Sequence, residues 1–350
     1  MAHRCACAIV PPHLLRRIAL NGTPAQRAAA LATLATDQTL RLGRATYELM
    51  EGHGHRALAS VGEIAKQRTI YDARNGETLP GSVVRNEGSR AGADVAVNEA
   101  YDGLGATFDF YAAAYDRNSI DDEGLHLDAS VHYATRYDNA FWNGQQMVFG
   151  DGDGELFNRF TIAVDVIGHE LTHGVTGDEA GLVYMGQPGA LNESLSDVFG
   201  SLVKQYALRQ TEDQADWLIG AGLFTAKVKG VALRSMKAPG TAFDDPVLGK
   251  DDQPSTMQGF VHTSADNGGV HINSGIPNRA FYLVAHALGG HAWERAGRVW
   301  YDTVRDRRLR KTATFAQFAR LTVDNADREF GADVRKAVAA AWTDVGVKVR

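Results

Sequence analysis

The spacing of apolar and polar positions divides the chain into an N-terminal helical piece, a region of short strands and a mainly helical remainder. The first helix is expected to begin at Thr23-Pro24, since Thr is a good N-cap and Pro suits the first helical position. Apolar residues then recur at helical spacing to about Met50. The polar, Gly-rich segment 51–56 interrupts this pattern and indicates a linker to the main body.

Short alternating runs separated by turn residues follow from Thr69, and they predict β-strands. We expect these strands at about 68–73, 82–85 and 125–133. A helix near 98–115 separates the second strand from the third. From Thr161 onward the spacing predicts mainly helices, at about 161–178, 190–209, 214–222, 276–288, 291–306, 314–328 and 333–343. These elements together predict the α+β fold class.

The segment His169-Glu170-Leu171-Thr172-His173 carries the clearest chemical signal. On a helix the two histidines lie one turn apart on one face, so their imidazoles can bind one Zn²⁺. Glu170 lies beside the pair, where a metal-bound water would sit. Glu193, twenty residues after His173, can supply a third ligand. Three protein ligands with a fourth position left for water are typical of a catalytic zinc rather than a structural one.

The segment that contains Glu193 supports this interpretation. Asp197 shares a helix face with Glu193 and can accept the free N–H of one zinc-binding histidine, and Asn192 can do the same for the other. The alternative is a pair of amphipathic helices whose polar residues are merely solvated. That alternative does not explain the apolar residues around the first motif, which are Ile162, Val164, Val166, Ile167, Leu171 and Val175.

With these residues in place, the chain resembles the thermolysin-type neutral zinc metalloproteases, and within them the protealysin-like branch. The resemblance covers almost the whole chain. Besides the histidine motif and residues 192–197, it rests on Asn139-Ala140-Phe141-Trp142, Asp151-Gly152-Asp153-Gly154, Leu233-Arg234-Ser235-Met236 and residues 266–275.

The resemblance implies a thermolysin-like fold of two domains preceded by a short propeptide. Residues 1–55 would form the propeptide and linker, and residues 56–178 a β-rich N-terminal catalytic domain that ends in the zinc helix. Residues 179–350 would form a mainly helical C-terminal domain. The implied function is that of a zinc-dependent endopeptidase made as a self-processing precursor.

Further catalytic roles also follow from the resemblance. His271 lies in a Gly-rich turn, and Asp266 can orient and charge its ring. The resemblance assigns His271 to transition-state stabilisation and proton donation, with Tyr184 as the second donor. Glu170 would act as the general base and later pass its proton to the leaving amine.

The substrate cleft is implied in the same way. Asn139 and Ala140 resemble the edge strand that pairs with the substrate backbone, which is β-augmentation. Arg234 resembles the residue that binds the substrate carbonyl after the scissile bond. An apolar pocket for the residue after the cut would then be lined by Leu233, Val166, Phe157 and Phe160. This pocket predicts cleavage on the amino side of bulky apolar residues.

The chain departs from its thermophilic relatives at the position of their double calcium site. Calcium requires six to eight oxygen ligands, and of the expected acidic residues only Asp165 and Asp216 remain. Lys204, Leu218 and Ala221 stand at three other acidic positions. The ammonium of Lys204 can take a cation's place between the two aspartates, so we expect the calcium site to be lost. The EF-hand-like start at Asp151 is expected to be a turn, because Ile162 stands where its Glu would be.

The N-terminal residues leave the route of export open. They contain no recognisable signal peptide, since prolines interrupt them early. The family is typically secreted, so secretion is expected by resemblance, with cytoplasmic retention or non-standard export as alternatives. Residues 7–15 resemble the marker of compact protealysin-like propeptides. A thiolate of Cys7 as fourth zinc ligand is an alternative to simple blocking of the cleft, and a separate zinc site at Cys5 and Cys7 lacks further ligands.

The net charge and the length of the apolar runs limit the kinds of partner that this protein can have. The net charge of −6 provides no basic footprint for nucleic acid, and no apolar run approaches the ~20 residues that span a bilayer. Neither nucleic acid nor a membrane is therefore an expected partner, and the resemblance implies a monomer whose partners are peptide or protein substrates and its own propeptide. Two other functions remain open: a catalytically silent binding or effector protein on this fold, and a zinc aminopeptidase, although no acidic anchor loop for a free amine is evident.

Overall fold

The computed structural model describes residues 8–50 and 64–349, and side chains from 8–39 and 64–349. Its helices are α1 (Pro12–Asn21), α2 (Pro24–Met50), α3 (Val95–Tyr115), α4 (Val164–Glu179), α5 (Gly186–Ala207), α6 (Asp266–Asn273), α7 (Gly275–Leu288), α8 (Arg298–Val304), α9 (Phe315–Phe330) and α10 (Ala332–Asp344). Its strands are β1 (Arg68–Asp72), β2 (Ser82–Asn86), β3 (Leu127–Val131), β4 (Ala140–Trp142), β5 (Gln146–Phe149), β6 (Leu218–Ile219), β7 (Arg234–Ser235), β8 (Asp244–Asp245) and β9 (Gly249–Lys250).

The N-terminal domain is built on a five-stranded sheet in the order β2-β1-β3-β5-β4. Strands β1, β3 and β5 run parallel, and the outer pairs β1–β2 and β4–β5 are antiparallel. Strand β4 is therefore an edge strand, with one side free of other strands of the sheet. An edge strand presents unpaired backbone groups to a further chain segment, and β4 lies next to the zinc helix α4.

Helices α4 and α5 pack closely because glycines lie where they cross. A Cβ at Gly200 would lie 2.3 Å from the backbone oxygen of Asp165, and a Cβ at Gly168 would lie 3.1 Å from the Cα of Gly200. Only glycine permits this approach of the two backbones. The close crossing brings the polar faces of α4 and α5 together, and these faces carry the two halves of the predicted zinc site.

Helices α5 to α10 lie in the mainly helical C-terminal part of the chain, whose core contains the stacked rings of Trp300 and Trp342. The two-domain α+β architecture predicted from sequence is confirmed. Within the described residues, no helix combines the length and the apolar character needed to cross a bilayer.

One predicted helix, 214–222, is wrong. This stretch forms turns and the short strand β6, which pairs with β7. Two local features hold the chain out of a helix: Trp217 has a φ of 57°, and the carboxylate of Asp216 accepts the N–H of Leu218 at 3.0 Å. Apolar spacing alone cannot distinguish such a buried turn from a helix.

Two other differences are smaller. Helix α1 was not predicted, although Pro12 at its first position is a typical helix start. The helix expected near 291–306 begins with a π-helical turn over Trp293–Gly297 before α8.

Candidate active site

The histidine and glutamate side chains predicted to bind zinc converge at the crossing of α4 and α5. His169 and His173 lie one turn apart on α4, and Glu193 faces them from α5. The Nε2 atoms of the two histidines are 3.1 Å apart. The carboxylate oxygens of Glu193 lie 3.6 Å from Nε2 of His169 and 3.5 Å from Nε2 of His173. One potential ligand atom from each residue therefore lies within 4.8 Å of the others.

The hydrogen bonds around the two imidazoles fix which nitrogen faces inward. Nδ1 of His169 lies 2.8 Å from Oδ1 of Asp197, and Nδ1 of His173 lies 2.8 Å from Oδ1 of Asn192. Because both partners are oxygen acceptors, each Nδ1 carries the proton and each Nε2 presents a lone pair. Burial lowers the pKa of His173 to about 3, so its ring is neutral near pH 7.

This donor set fits a zinc ion. Two lone pairs that face each other at 3.1 Å repel unless a cation lies between them. Oε2 of Glu193 is buried and accepts no hydrogen bond from the described residues. Two neutral imidazoles, one carboxylate and oriented outer nitrogens are the ligand set of a catalytic zinc.

Asp197 lies behind the metal ligands and binds several side chains at once. Besides His169, its carboxylate accepts from Nε and Nη2 of Arg234 at 2.9 and 2.8 Å, and from Nδ2 of Asn278 at 2.8 Å. Burial alone would raise the pKa of Asp197, but Arg234 and His169 hold it below its ordinary value. The buried carboxylate is thus ionised and fully hydrogen-bonded. Sequence reasoning missed Asn278, which lies 81 residues away and shows no local signal.

Glu170 is fully buried and faces the edge strand. Its Oε2 accepts the backbone N–H of Trp142 at 3.0 Å. The same helix α4 therefore directs two histidines to the metal position and a carboxylate to the strand that the resemblance assigns to substrate binding.

His271 lies in α6 rather than in the predicted Gly-rich loop. Residues Asn267, Gly268 and Gly269 have φ angles of 50°, 82° and 76°, and regular helix follows them. Nδ1 of His271 lies 2.6 Å from Oδ1 of Asp266, whose other oxygen accepts the backbone N–H of His271 at 2.9 Å. The left-handed turn thus folds the carboxylate back onto the imidazole.

The environment of His271 favours its charged form. Burial works against the charge, yet Asp266 and Glu193 together raise the pKa of His271 above its ordinary value. Its Nε2 lies 3.5 Å from Oε2 of Glu193 and 3.3 Å from the hydroxyl of Tyr184. The Tyr184 hydroxyl also donates to Glu193. Two proton donors therefore border the metal position next to Glu193.

The N-terminal segment of the chain lies along the edge strand. Ala8 forms an antiparallel bridge with Phe141, and the N–H of Ile9 donates to the carbonyl of Ala140 at 3.2 Å. The side chain of Asn139 binds both backbone groups of Val10. Its Oδ1 accepts from the N–H of Val10 at 2.9 Å, and its Nδ2 donates to the carbonyl of Val10 at 3.2 Å. Residues 8–10 therefore lie antiparallel along the edge strand, held by one β-bridge and by the side chain of Asn139.

Arg234 binds the same segment from the other side. While its Nε and Nη2 pair with Asp197, its Nη1 donates to the carbonyl of Ile9 at 3.2 Å. The side chain of Ile9 is fully buried. It is part of the main hydrophobic core, which extends through both domains and also contains the four apolar residues predicted to line a substrate pocket, Val166, Leu233, Phe157 and Phe160.

Lys204 occupies the region where the calcium site was expected to be lost. Its Nζ lies 2.7 Å from Oδ2 of Asp165 and 2.8 Å from Oδ1 of Asp216, and it donates to the carbonyl of Leu218 at 2.8 Å. The EF-hand-like segment forms a turn, in which Oδ1 of Asp153 accepts three successive backbone N–H groups. Cys5, Cys7 and the linker 51–56 lie outside the described residues.

These residues together define a class of protein. A buried His-His-Glu set, a carboxylate beside it, and an edge strand that already holds an extended segment of chain are the parts of a zinc-dependent peptidase. Two family models agree with this reading. Residues 33–177 match the thermolysin metallopeptidase catalytic domain, and residues 180–347 match the thermolysin metallopeptidase α-helical domain.

Relatives with high identity support the same assignment. The chain is 55% identical over 350 residues to an extracellular metalloprotease of Pectobacterium carotovorum subsp. carotovorum, covering 100% of this chain and 99% of that protein. It is 48% identical to protease PrtS of Photorhabdus sp. (strain Az29), covering 98% and 92%. Among solved structures it is similar to the precursor of protealysin, a metalloproteinase from Serratia proteamaculans, with 57% identity, a TM-score of 0.89, and coverage of 98% and 100%.

The chain therefore belongs to the thermolysin-type metallopeptidase family, in its protealysin-like branch. It is a zinc-dependent endopeptidase made as a self-processing precursor, and its N-terminal piece is the propeptide.

Proposed function

We propose that this enzyme cleaves extended peptides on the amino side of bulky apolar residues such as Leu, Phe and Ile. The proposal rests on the way in which Ile9 is bound in the cleft. Its N–H donates to the carbonyl of Ala140, its carbonyl accepts from Arg234, and its side chain is fully buried in the main hydrophobic core. If Arg234 binds the carbonyl of the residue after the cut, Ile9 occupies that residue's place, and the Ala8–Ile9 bond lies where a substrate is cleaved.

Each polar residue of the site then has a role. A bound zinc supplies Lewis-acid activation of the attacking water and the scissile carbonyl. Glu170 takes the proton from the water and passes it to the leaving amine. His271 and Tyr184 donate hydrogen bonds to the negative charge that develops on the carbonyl oxygen. Asp266 keeps His271 charged for this purpose, and Asp197 and Asn192 orient the zinc-binding histidines.

Zinc content and peptidase activity, measured on the same preparations, test these roles. Glu170→Ala should retain zinc and lose at least ~10³-fold in kcat/KM, since a general base contributes about 10²–10⁴-fold. Glu193→Ala should lose the metal as well. Glu155→Ala, which removes an exposed carboxylate, serves as the control and should change neither. Near-normal activity in Glu170→Ala would exclude the proposed mechanism.

Substrate preference is tested with peptides blocked at both ends. The residue after the cut is varied among Leu, Phe, Ile, Asp and Lys, and kcat/KM is expected to be highest for the apolar three. A preference for a charged residue would contradict the pocket. Comparison of blocked with unblocked peptides separates an endopeptidase from an aminopeptidase, because the latter requires a free amine.

Processing follows from the position of residues 8–10. The propeptide is proposed to end at about residue 50–60, close to or within the segment 51–63, which lies outside the described residues. It is proposed to inhibit the enzyme by blocking the cleft. N-terminal sequencing of the purified protein beside its Glu170→Ala variant locates the cut. Equally fast trimming of Glu170→Ala without added protease would exclude self-processing.

The site of action and the oligomeric state are proposed from the same relationship. The Pectobacterium relative is named as extracellular, and we place the activity of this enzyme outside the cell as a monomer. Zymography of the culture medium and of washed cells, together with size-exclusion chromatography of the processed enzyme, tests both statements.

A further inference from the structure

A carboxylate of the propeptide lies in a pocket of the catalytic domain beside the cleft. Asp37, on helix α2, is 5% exposed. Its Oδ1 accepts a hydrogen bond from the hydroxyl of Tyr137, and its Oδ2 accepts one from Nδ2 of Asn139 at 3.0 Å. Burial of a carboxylate is costly unless donors compensate for the lost water. Both of these donors come from the segment that leads into the edge strand β4.

The donors belong to a buried and closely packed part of the catalytic domain. The ring of Tyr137 is 2% exposed and packs edge-on against Tyr133 and Phe141, at centroid distances of 5.3 and 6.1 Å. Burial and the neighbouring Asp37 raise the pKa of Tyr137 well above its usual value, so its hydroxyl stays protonated. Burial also raises the pKa of Asp138 to about 8, so this neighbour is mainly uncharged near pH 7 and does not repel a carboxylate.

The pocket adjoins the path of a bound peptide. The same Nδ2 of Asn139 that donates to Asp37 also donates to the carbonyl of Val10 at 3.2 Å. This inference rests on the proposed function, in which Ile9 and Val10 occupy the places of the first and second residues after the cut. The carboxylate of Asp37 therefore lies beside the carbonyl of the second residue, where the third residue of a substrate begins.

We propose that the hydroxyl of Tyr137 and the amide of Asn139 form a carboxylate-binding subsite, which Asp37 fills in the precursor. Both donors remain in the enzyme when the propeptide leaves, because neither belongs to it. The processed enzyme then binds a carboxylate carried by the third residue after the scissile bond. This carboxylate is either an acidic side chain or the free C-terminus of a short peptide.

Binding of product peptides to the processed enzyme, measured by calorimetry, tests the subsite and distinguishes the two sources. One pair is Ile-Val-Glu amide and Ile-Val-Gln amide, and the other is Ile-Val-Gly and its amide. The carboxylate peptide of at least one pair should bind about tenfold more tightly, since hydrogen bonds to a charged acceptor are roughly twice as strong as neutral ones. Equal affinities within both pairs would overturn the proposal.

Two tyrosine variants provide a matched comparison. Tyr137→Phe removes the donor hydroxyl and should abolish the preference for the carboxylate peptide. Tyr133→Phe removes a hydroxyl from the adjacent ring in the same aromatic cluster and should leave the preference unchanged. A preference that persists in Tyr137→Phe would show that the carboxylate binds elsewhere.

The precursor supplies an independent readout if Tyr137→Phe does not fold. Asp37→Asn removes the charge and replaces one acceptor oxygen with an NH2 group, so the side chain can no longer accept from both donors. It should shorten the lag before self-processing several-fold, whereas Gln38→Ala, on the exposed side of the same helix, should not. An unchanged lag in Asp37→Asn would contradict the subsite.

Hydrolysis of a blocked apolar peptide is measured alongside these experiments. Carboxylate binding without hydrolysis would contradict the proposed endopeptidase function and support the subsite. Hydrolysis without a preference for the carboxylate peptide would support the function and contradict the subsite.

Discussion

The guanidinium of Arg234 joins the catalytic domain to the propeptide, because its Nη1 donates to the backbone carbonyl of Ile9 at 3.2 Å while Nε and Nη2 bind Asp197. Arg234 is buried and its charge is neutralised by Asp197. The propeptide is thus held by the groups to which the proposed function assigns substrate binding, and on that proposal inhibition requires no change in the geometry of the zinc ligands.

The first prediction concerns the anchor of the propeptide. Ile9→Ala should weaken docking by about 2–5 kcal/mol, the usual cost of truncating a fully buried aliphatic side chain. The precursor should then process itself sooner, as followed by gel electrophoresis and by hydrolysis of a fluorogenic peptide. Leu20→Ala, at a position 76% exposed, is the control and should follow the wild-type time course. Identical time courses for Ile9→Ala and wild type would show that Ile9 is not an anchor.

The second prediction concerns zinc affinity. Asp197→Asn keeps the size of the side chain but removes the charge that His169 and Arg234 face. Loss of such a partner typically weakens metal binding about 10–100-fold. Competition with a chromophoric chelator measures the change. Asp213→Asn, on the surface, should bind zinc as wild type does, and unchanged affinity in Asp197→Asn would exclude its orienting role.

Local spacing explains why the zinc site could be predicted from the sequence. His169 and His173 lie one helical turn apart, as do Glu193 and Asp197, so each half of the site is visible in a few residues. Contacts between segments that are distant in the sequence produce no local pattern of this kind. Asn278 reaches Asp197 across 81 residues, and Tyr137 reaches Asp37 across 100.

The predicted helix at 214–222 failed for a related reason. Its backbone depends on side-chain partners as well as on local turns, since Asp216 binds Lys204 of α5 and the indole of Trp217 donates to the carbonyl of Glu212, five residues earlier, at 2.9 Å. Apolar spacing reports burial but not the backbone conformation that such partners impose.

The third prediction concerns pH. His132 lies between two carboxylates, with Nδ1 2.8 Å from Asp151 and Nε2 2.9 Å from Asp94. The hydrogen bond to Asp151 chiefly, and that to Asp94, raise its pKa to about 9. Because the folded pKa exceeds the unfolded value of about 6.5, the added stability is fully present below pH ~6.5 and is lost as pH rises through ~9. It amounts to about 1–3 kcal/mol.

His132→Asn tests this, since Asn tolerates the φ of 53° at this position. Urea unfolding of the Glu170→Ala background, which prevents self-digestion, gives the free energy of unfolding at several pH values. The variant should be less stable at pH 6 and lose less stability between pH 6.5 and 9.5. His286→Asn, at a side chain 63% exposed, is the control. Parallel pH profiles for His132→Asn and its background would contradict the prediction.

The fourth prediction concerns calcium. Asp165 is buried, and its carboxylate binds Lys204 and accepts the backbone N–H of Gly220 at 3.2 Å. Lys204 also reaches Asp216 and thereby ties α5 to the zinc helix α4. Burial works against the charged amine, but the two aspartates keep the pKa of Lys204 above its ordinary value. On the prediction that this fixed cation replaces the metal ion, the wild-type melting temperature should be indifferent to a calcium-selective chelator.

Reversal of the charge at this position gives the sharper test. Lys204→Glu removes the cation and sets three carboxylates near one another, an arrangement that costs several kcal/mol where the groups are buried. The variant should melt at a lower temperature than wild type without calcium and recover part of the loss when calcium is added, since three carboxylates begin a hard-cation site. Lys227→Glu, which removes an exposed partner of Glu155, is the control and should show no calcium dependence. A wild-type melting temperature that falls sharply on calcium chelation, with zinc still bound, would show that a calcium site survives in this protein and that Lys204 has not replaced it.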